Sequence, residues 1–297
     1  MTSAQSLIEE AKGDFQELLE ILDLEDGGNG KFIGQHPSKA WARTYGGQIV
    51  AQTIIAAGRT VESDKLDLHV AQTHFIRGGD VKQPIEYQVT ALRDERSIAN
   101  RQVTASQNGE VMSVSLLAYQ LGRPGLEHSS PMPSVPDPEG LPEIEETFVG
   151  MEKDLTMFVE APRPIDWRYT NKPSWLAKEA GEAFPYNRVW MRTRGELPDE
   201  PRWHEAALAY ASDTTILDSI ITQHGLSWGL DRIIAATLNH SLWFHRPVRF
   251  DQWHLYATES PAAAESRGFS TGAFYARNGD RIASSAQEGM VIYRPRK

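Results

Sequence analysis

Residues 45–61, YGGQIVAQTIIAAGRTV, decide the reading of the fold. A glycine pair opens the stretch, and from Ile49 onward its apolar side chains fall on most sides of a 3.6-residue period. A helix apolar on most sides is enclosed by the rest of the chain, not laid on its surface. Strand-like runs follow at His69–Ile76, Ile85–Leu92, Ser97–Ser106 and Val111–Tyr119, and the last two flank Asn108-Gly109, a strong hairpin signal. Upstream, residues 4–24 carry Leu7, Ile8, Ala11, Phe15, Leu18, Leu19 and Leu22 at helical spacing, with Gly27, Gly28 and Gly30 as the expected stop. The segment between those glycines and Tyr45 reads as a loop.

The same order recurs in the second half. Arg188–Arg194 reads as a strand and Trp203–Thr222 as a helical stretch containing Tyr210-Ala211-Ser212-Asp213. Strands are expected at Ile233–Phe244, Trp253–Ser260, Gly268–Ala276 and Arg281–Tyr293, the last pair flanking Asn278-Gly279. Tyr45 aligns with Tyr210 at an offset of 165 residues, Phe75 with Phe244 at 169, and Gly109 with Gly279 at 170. Slow drift of the offset is what small loop insertions leave in a diverged duplication. Between the halves, Pro124, Pro131, Pro133, Pro136, Pro138 and Pro142 enforce an extended connection. The expected division is an N-terminal helix in 1–29, a first unit in 30–120, a proline-rich linker in 121–160 and a second unit in 161–297. Each unit is α+β, one buried helix with four or five antiparallel strands, which is the hot-dog arrangement; two fused units make it double.

Composition narrows the function. The 297 residues are 40% hydrophobic and 24% charged with a net charge of −10, and contain no long basic run, which argues against nucleic acid as a partner. No apolar run is long enough to span a bilayer. With no cysteine there is no disulfide, thiolate nucleophile or Cys-based metal site. The acidic, amphipathic N-terminus does not read as a secretory signal, and a cytoplasmic location is expected.

Several stretches resemble the type II acyl-CoA thioesterases, the bacterial TesB family and its peroxisomal relatives: YGGQIVAQTIIAA, HFIRGGDVKQPIEYQVTALRDERSIANRQVTASQNG, LAYASDTTIL, LNHSLWFHRP and ESRGFSTGAFYARNGDRIASSAQEG. Together they run from about Phe32 to Val291. The resemblance implies a double hot-dog fold, hydrolysis of fatty acyl-CoA to free acid and coenzyme A, and no cofactor. It also implies a trio holding the attacking water, which falls on Asp213 in YASD, Thr237 in AATLNHS and Gln287 in SSAQEG. The chain departs from the family at Asn239, where relatives often have Asp. Its ending, YRPRK, does not match the peroxisomal SKL address. Hot-dog pairs often stack further, so a homodimer or homotetramer is expected.

The repeat adds its own argument. Asp213 aligns with Gln48, Thr237 with Leu68 and Gln287 with Leu117, so the polar trio exists only in the second unit. Polar groups in core-patterned positions are costly without a purpose, which predicts one working site per chain. A carboxylate, a hydroxyl and an amide can hold a water by three hydrogen bonds. Gly46, Gly47 and Gln48, opening the first buried helix, are candidates for substrate or oxyanion binding, since helix N-termini attract anions; tight helix packing explains the glycines equally well. Asp213 taken alone would suit a helix N-cap. Gly225-Leu226-Ser227-Trp228-Gly229 matches a nucleophile-elbow pattern, but it follows a helix and precedes a strand, the reverse of what an elbow needs. His240 and His245 face opposite sides of a strand and make no metal site. Two other readings of the scaffold stay open, an acyl-CoA hydratase or dehydratase and a non-catalytic acyl-CoA binder.

Overall fold

A computed structural model describes residues 14–39, 43–63, 65–159 and 164–295. Of the N-terminal amphipathic pattern, α1 (Phe15–Leu22) lies within the described residues, capped by the Asp14 side chain. It stops at Leu22, short of the glycines. Those glycines instead shape a hairpin, β1 (Glu25–Gly28) and β2 (Lys31–Gly34), whose turn has Gly28, Asn29 and Gly30 at positive φ. This is a correction to the loop expected there. Short strands without apolar alternation give no period-2 signal to read.

The stretch around Ile49 forms α2 (Gly46–Gly58), with Gly47 to Ala57 all buried. The remaining strands of the first half are β3 (Leu66–Phe75), β4 (Ile85–Glu95), β5 (Ile98–Gln107) and β6 (Glu110–Leu121). In β5 every second residue is buried, the mark of a sheet with one face on a core. The second half holds β7 (Ile165–Tyr169), α3 (Ser174–Glu179), β8 (Tyr186–Thr193), α4 (Pro201–Thr215), α5 (Asp218–Gln223), β9 (Ile233–Phe244), β10 (His254–Ala264), β11 (Arg267–Ala276) and β12 (Arg281–Tyr293). The expected single helix over Trp203–Thr222 is thus two, broken at Ile216-Leu217. Asp213 is in the last turn of α4, not at a helix start, so the N-cap reading fails.

Among the described residues twelve strands join one antiparallel sheet in the order β1-β2-β4-β5-β6-β3-β9-β12-β11-β10-β8-β7. Read from either edge the order is the same topology, six strands per unit and not four or five, with β3 against β9 at the seam, from Val70↔Trp243 to His74↔Asn239. The correspondence extends to irregularities. Pairing of β3 with β6 skips His69, between Leu68↔Tyr119 and Val70↔Ala118. Pairing of β9 with β12 skips Leu238, between Thr237↔Gly289 and Asn239↔Glu288. The two bulges place Leu68 against Thr237 and Leu117 against Gln287, as the alignment of the halves has them. The Asn-Gly turns differ: Asn108 and Gly109 are both at positive φ, whereas at the second turn Gly279 alone is, with Ala276 N–H bonded to Asp280 O. The first is a two-residue hairpin and the second a longer one closed by a left-handed glycine.

The helices α2 and α4 pack against each other with the sheet around them. Their contact is close because Gly47 has no side chain: a Cβ there would lie 2.5 Å from Tyr210 O. Residues 122–137 run extended over the outer face of the second unit, where Met132 and Val135 pack on Trp190, Trp253 and Tyr275. Trp190 Nε1 donates to Pro136 O at 2.9 Å, and Arg277 holds Glu139 with both guanidinium nitrogens.

Candidate active site

Three elements deliver the polar trio to one place. Asp213 comes from the last turn of α4, Thr237 from β9 just before its bulge, and Gln287 from the adjacent strand β12. Thr237 Oγ1 donates to Asp213 Oδ1 at 2.9 Å, and Gln287 Nε2 donates to Thr237 Oγ1 at 3.1 Å. The other carboxylate oxygen, Oδ2, accepts the backbone N–H of Gly47 at 2.9 Å. That N–H belongs to the first turn of α2, so the first unit's helix end faces the second unit's carboxylate, an arrangement that favours negative charge. Asp213 and Thr237 are half-buried, while Gln287 has no exposure.

Behind the trio lies a residue whose part was not read from the sequence. His240 is fully buried; its Nδ1 lies 2.5 Å from Gln287 Oε1, and its Nε2 lies 2.8 Å from Ser212 Oγ. Burial pushes its pKa below the ordinary imidazole value, against the opposing pull of the Asp213 charge and the Gln287 bond. Its place in the LNHSLWFHRP stretch was the available signal, but a lone strand histidine is ordinarily just a packed one. Tyr256 closes the back of the site, donating to Ser212 O at 3.1 Å and lying 2.8 Å from Ser285 Oγ; burial raises its pKa strongly.

The three residues opening α2 separate. Gly46 lies against the carboxylate, since a Cβ there would meet Asp213 Oδ2 at 2.7 Å. Gly47 gives its N–H to Asp213. The Gln48 side chain turns elsewhere, donating to Gln35 O at 2.9 Å within a buried group that includes Gln52 and Tyr87. At Gly47 the tight-packing reading holds, and its amide is spent on the Asp213 carboxylate.

Other candidates are accounted for. Ser227 is buried with its hydroxyl donating to Trp228 O at 2.7 Å, and Gly225 and Gly229 are turn glycines at positive φ. That is a loop, not an elbow. Asn239 pairs with Glu288 across the strands, its amide 3.4 Å from Glu288 Oε2, and it alternates with His240 to the opposite sheet face. An Asp there would oppose another carboxylate. Among the described residues no group of three or more His, Cys, Asp or Glu is placed to hold a metal ion.

A double hot-dog sheet carrying a polar trio in one unit defines the class, a two-unit hot-dog protein with one candidate site. A family model described as acyl-CoA thioesterase matches residues 158–290, and one described as acyl-CoA thioesterase N-terminal domain matches residues 36–119. Mouse acyl-coenzyme A thioesterase 8 is 32% identical over 95% of this chain and 92% of its own. Acyl-CoA thioesterase 2 of Haemophilus influenzae is 30% identical over 93% and 97%. Among solved structures, an acyl-CoA thioesterase II from Mycobacterium marinum superposes with a TM-score of 0.76 at 32% identity, covering 94% of this chain and 98% of that one. The chain belongs to the type II acyl-CoA thioesterases, hydrolases of acyl-CoA thioesters.

Proposed function

We propose that this chain hydrolyses acyl-CoA at one site per chain, with Asp213, Thr237 and Gln287 holding the attacking water. The supporting observation is the Gln287–Thr237–Asp213 chain of hydrogen bonds, assembled from α4 and two adjacent strands. The donor inventory assigns the parts. Thr237 spends its one proton on Asp213 and can meet the water only as an acceptor. Gln287 keeps its second amide hydrogen for the water or the thioester oxygen. Asp213, already holding Thr237 and Gly47, retains lone pairs to take a proton from the water as its oxygen attacks the thioester carbon. The C–S bond then breaks, coenzyme A leaves as a thiolate and takes up a proton, and the free acid departs. No covalent enzyme intermediate forms. The Gly47 N–H is taken by Asp213, so the neighbouring first-turn amides of Gly46 and Gln48 are the donors left for the developing oxyanion.

The wider reading is a soluble cytoplasmic enzyme acting on fatty acyl-CoA, assembled as a homodimer or homotetramer, with its working unit in 161–297 and the partner unit in 30–120. Among the described residues no helix is long and apolar enough to cross a membrane. A thiol-release assay over acyl-CoAs of graded chain length tests the reading. Asp213→Ala should lower kcat by about 10³-fold or more, in the range for losing a catalytic base. Wild-type turnover in that variant would remove Asp213 from the mechanism. Crotonyl-CoA hydration without thiol release would favour the hydratase reading.

A further inference from the structure

We propose that His240, backed by Ser212, is a positioning residue that sets which end of the Gln287 amide faces the reacting atoms. The inference rests on the reading that Gln287 belongs to the water-holding trio. An amide side chain has two ends of nearly equal shape, one donating and one accepting, and only the donating end suits the chemistry assigned above.

The hydrogen-bond pattern fixes the direction step by step. As a carboxylate, Asp213 only accepts, so the single hydroxyl proton of Thr237 points to Oδ1, 2.9 Å away. Thr237 Oγ1 is then an acceptor toward Gln287, and the amide nitrogen must face it, at 3.1 Å. The amide oxygen therefore faces His240 Nδ1 at 2.5 Å, and Nδ1 must carry the hydrogen. In the neutral ring Nε2 is unprotonated and accepts from Ser212 Oγ at 2.8 Å. Ser212 Oγ also lies 2.8 Å from Ala209 O. Were Nε2 protonated as well, in the cation, the serine could turn its proton to that carbonyl and accept instead. The neutral Nε2–H tautomer would set a bare Nδ1 against the Gln287 oxygen, so Nδ1 carries the hydrogen in the neutral ring and in the cation alike, and the direction imposed on Gln287 is the same.

A flipped Gln287 would set its NH₂ against Nδ1–H and its oxygen against a committed Thr237 oxygen. Ser212, His240 and Gln287 have no exposure, so no bulk water can compensate. The first unit supplies the control. There the register places Ala71 where His240 stands, directly across from Leu117, which stands for Gln287. The scaffold packs that position without a histidine when no amide needs orienting.

The test compares His240→Leu, His240→Asn and His240→Gln, each by steady-state thiol release from decanoyl-CoA with thermal unfolding alongside, and repeats His240→Leu in a Gln287→Ala background. Asparagine places an N–H where Nδ1 was, whereas glutamine reaches toward the Nε2 position. His240→Leu should lower kcat by about 10²-fold, the scale for losing one oriented donor, with KM within a few-fold. His240→Asn should stay within about tenfold of wild type and exceed His240→Gln. In the Gln287→Ala background His240→Leu should cost less than about twofold, because its target is gone. Equal losses in both backgrounds, or glutamine outperforming asparagine, would overturn the proposal in favour of plain packing. Near-wild-type kcat in His240→Leu, with Asp213→Ala inactive, would overturn it and leave the trio standing. An active Asp213→Ala would bring down the trio instead. If the leucine variant does not fold, the asparagine–glutamine contrast decides alone.

Discussion

The two units share a strand order down to the single skipped residue in the strand that forms the seam, His69 in one and Leu238 in the other. They differ in what the shared framework carries. Where the first unit has Gln48, Leu68, Ala71 and Leu117, the second has Asp213, Thr237, His240 and Gln287. The first set is a core that happens to include one amide, and that amide bonds to a local carbonyl. The second is a connected polar chain from Ser212 to the N-terminus of α2. Fold is thus indifferent to the substitution, and the polar set is present for another reason. The first unit still participates, because Gly47 supplies an N–H to the second unit's carboxylate.

Making the second unit like the first is the strongest way to break this contrast. The quadruple variant Asp213→Gln, Thr237→Leu, His240→Ala, Gln287→Leu should fold, with a thermal midpoint at or above wild type, since it replaces the connected polar chain by the residues that already pack the other unit. Its kcat/KM on acyl-CoA should fall by more than about 10³-fold. Residual activity within tenfold of wild type would mean that the units are chemically equivalent. A large drop in the midpoint would mean that the polar chain is structural.

Much of the asymmetry is legible in the sequence. Buried helix and long strands announce themselves by period, and aligning Tyr45 with Tyr210, Phe75 with Phe244 and Gly109 with Gly279 puts three polar residues opposite Gln, Leu and Leu. The illegible parts have physical causes. β1, β2 and β7 are four or five residues long, too short to alternate convincingly. The break at Ile216-Leu217 carries neither Gly nor Pro, and the weak helix formers Ser212 to Thr215 just before it are helical all the same, so local propensity misplaces the boundary. His240 was visible only as a strand histidine, because what matters is the partner on each ring nitrogen, Gln287 from 47 residues away and Ser212 from 28.

A gentler way to sharpen the contrast is to act on the contact between the helices. The counterpart of Gly47 in the second unit is Ser212, which has a side chain. Gly47→Ala would bring a Cβ to 2.5 Å from Tyr210 O and 2.6 Å from the Tyr45 ring. A backbone carbonyl cannot rotate away, so α2 and α4 must separate. The expected cost is about 2–3 kcal/mol, or roughly 5–10 °C in the thermal midpoint for a chain of this size. Activity should fall as well, through the stretched Gly47–Asp213 bond. An unchanged midpoint would show that the helix spacing is soft.

The smallest expected effect concerns acid. His240 and His254 are buried in the second unit where the first has Ala71 and Ile85. Burial holds both imidazoles below the ordinary value of 6.5, and His254 Nδ1 lies 2.9 Å from Gln252 O. The unfolded chain takes up protons near pH 6.5 while these folded rings do not, so their contribution is whole above that pH. It is lost as pH falls from 6.5 toward the depressed folded values. Each histidine contributes a slope of up to about 1.4 kcal/mol per pH unit in that window. Glu205, pushed up to about 8 by desolvation and by Asp67, works with the opposite sign, gaining stability as pH falls below that value. Total slopes mix the two, so a difference between variants is the cleaner measurement. His254→Ile, which installs the first unit's residue, should lose less stability than wild type between pH 7.5 and 5.5 by urea unfolding. Parallel curves would show that His254 titrates alike in both states and carries no acid sensitivity of its own.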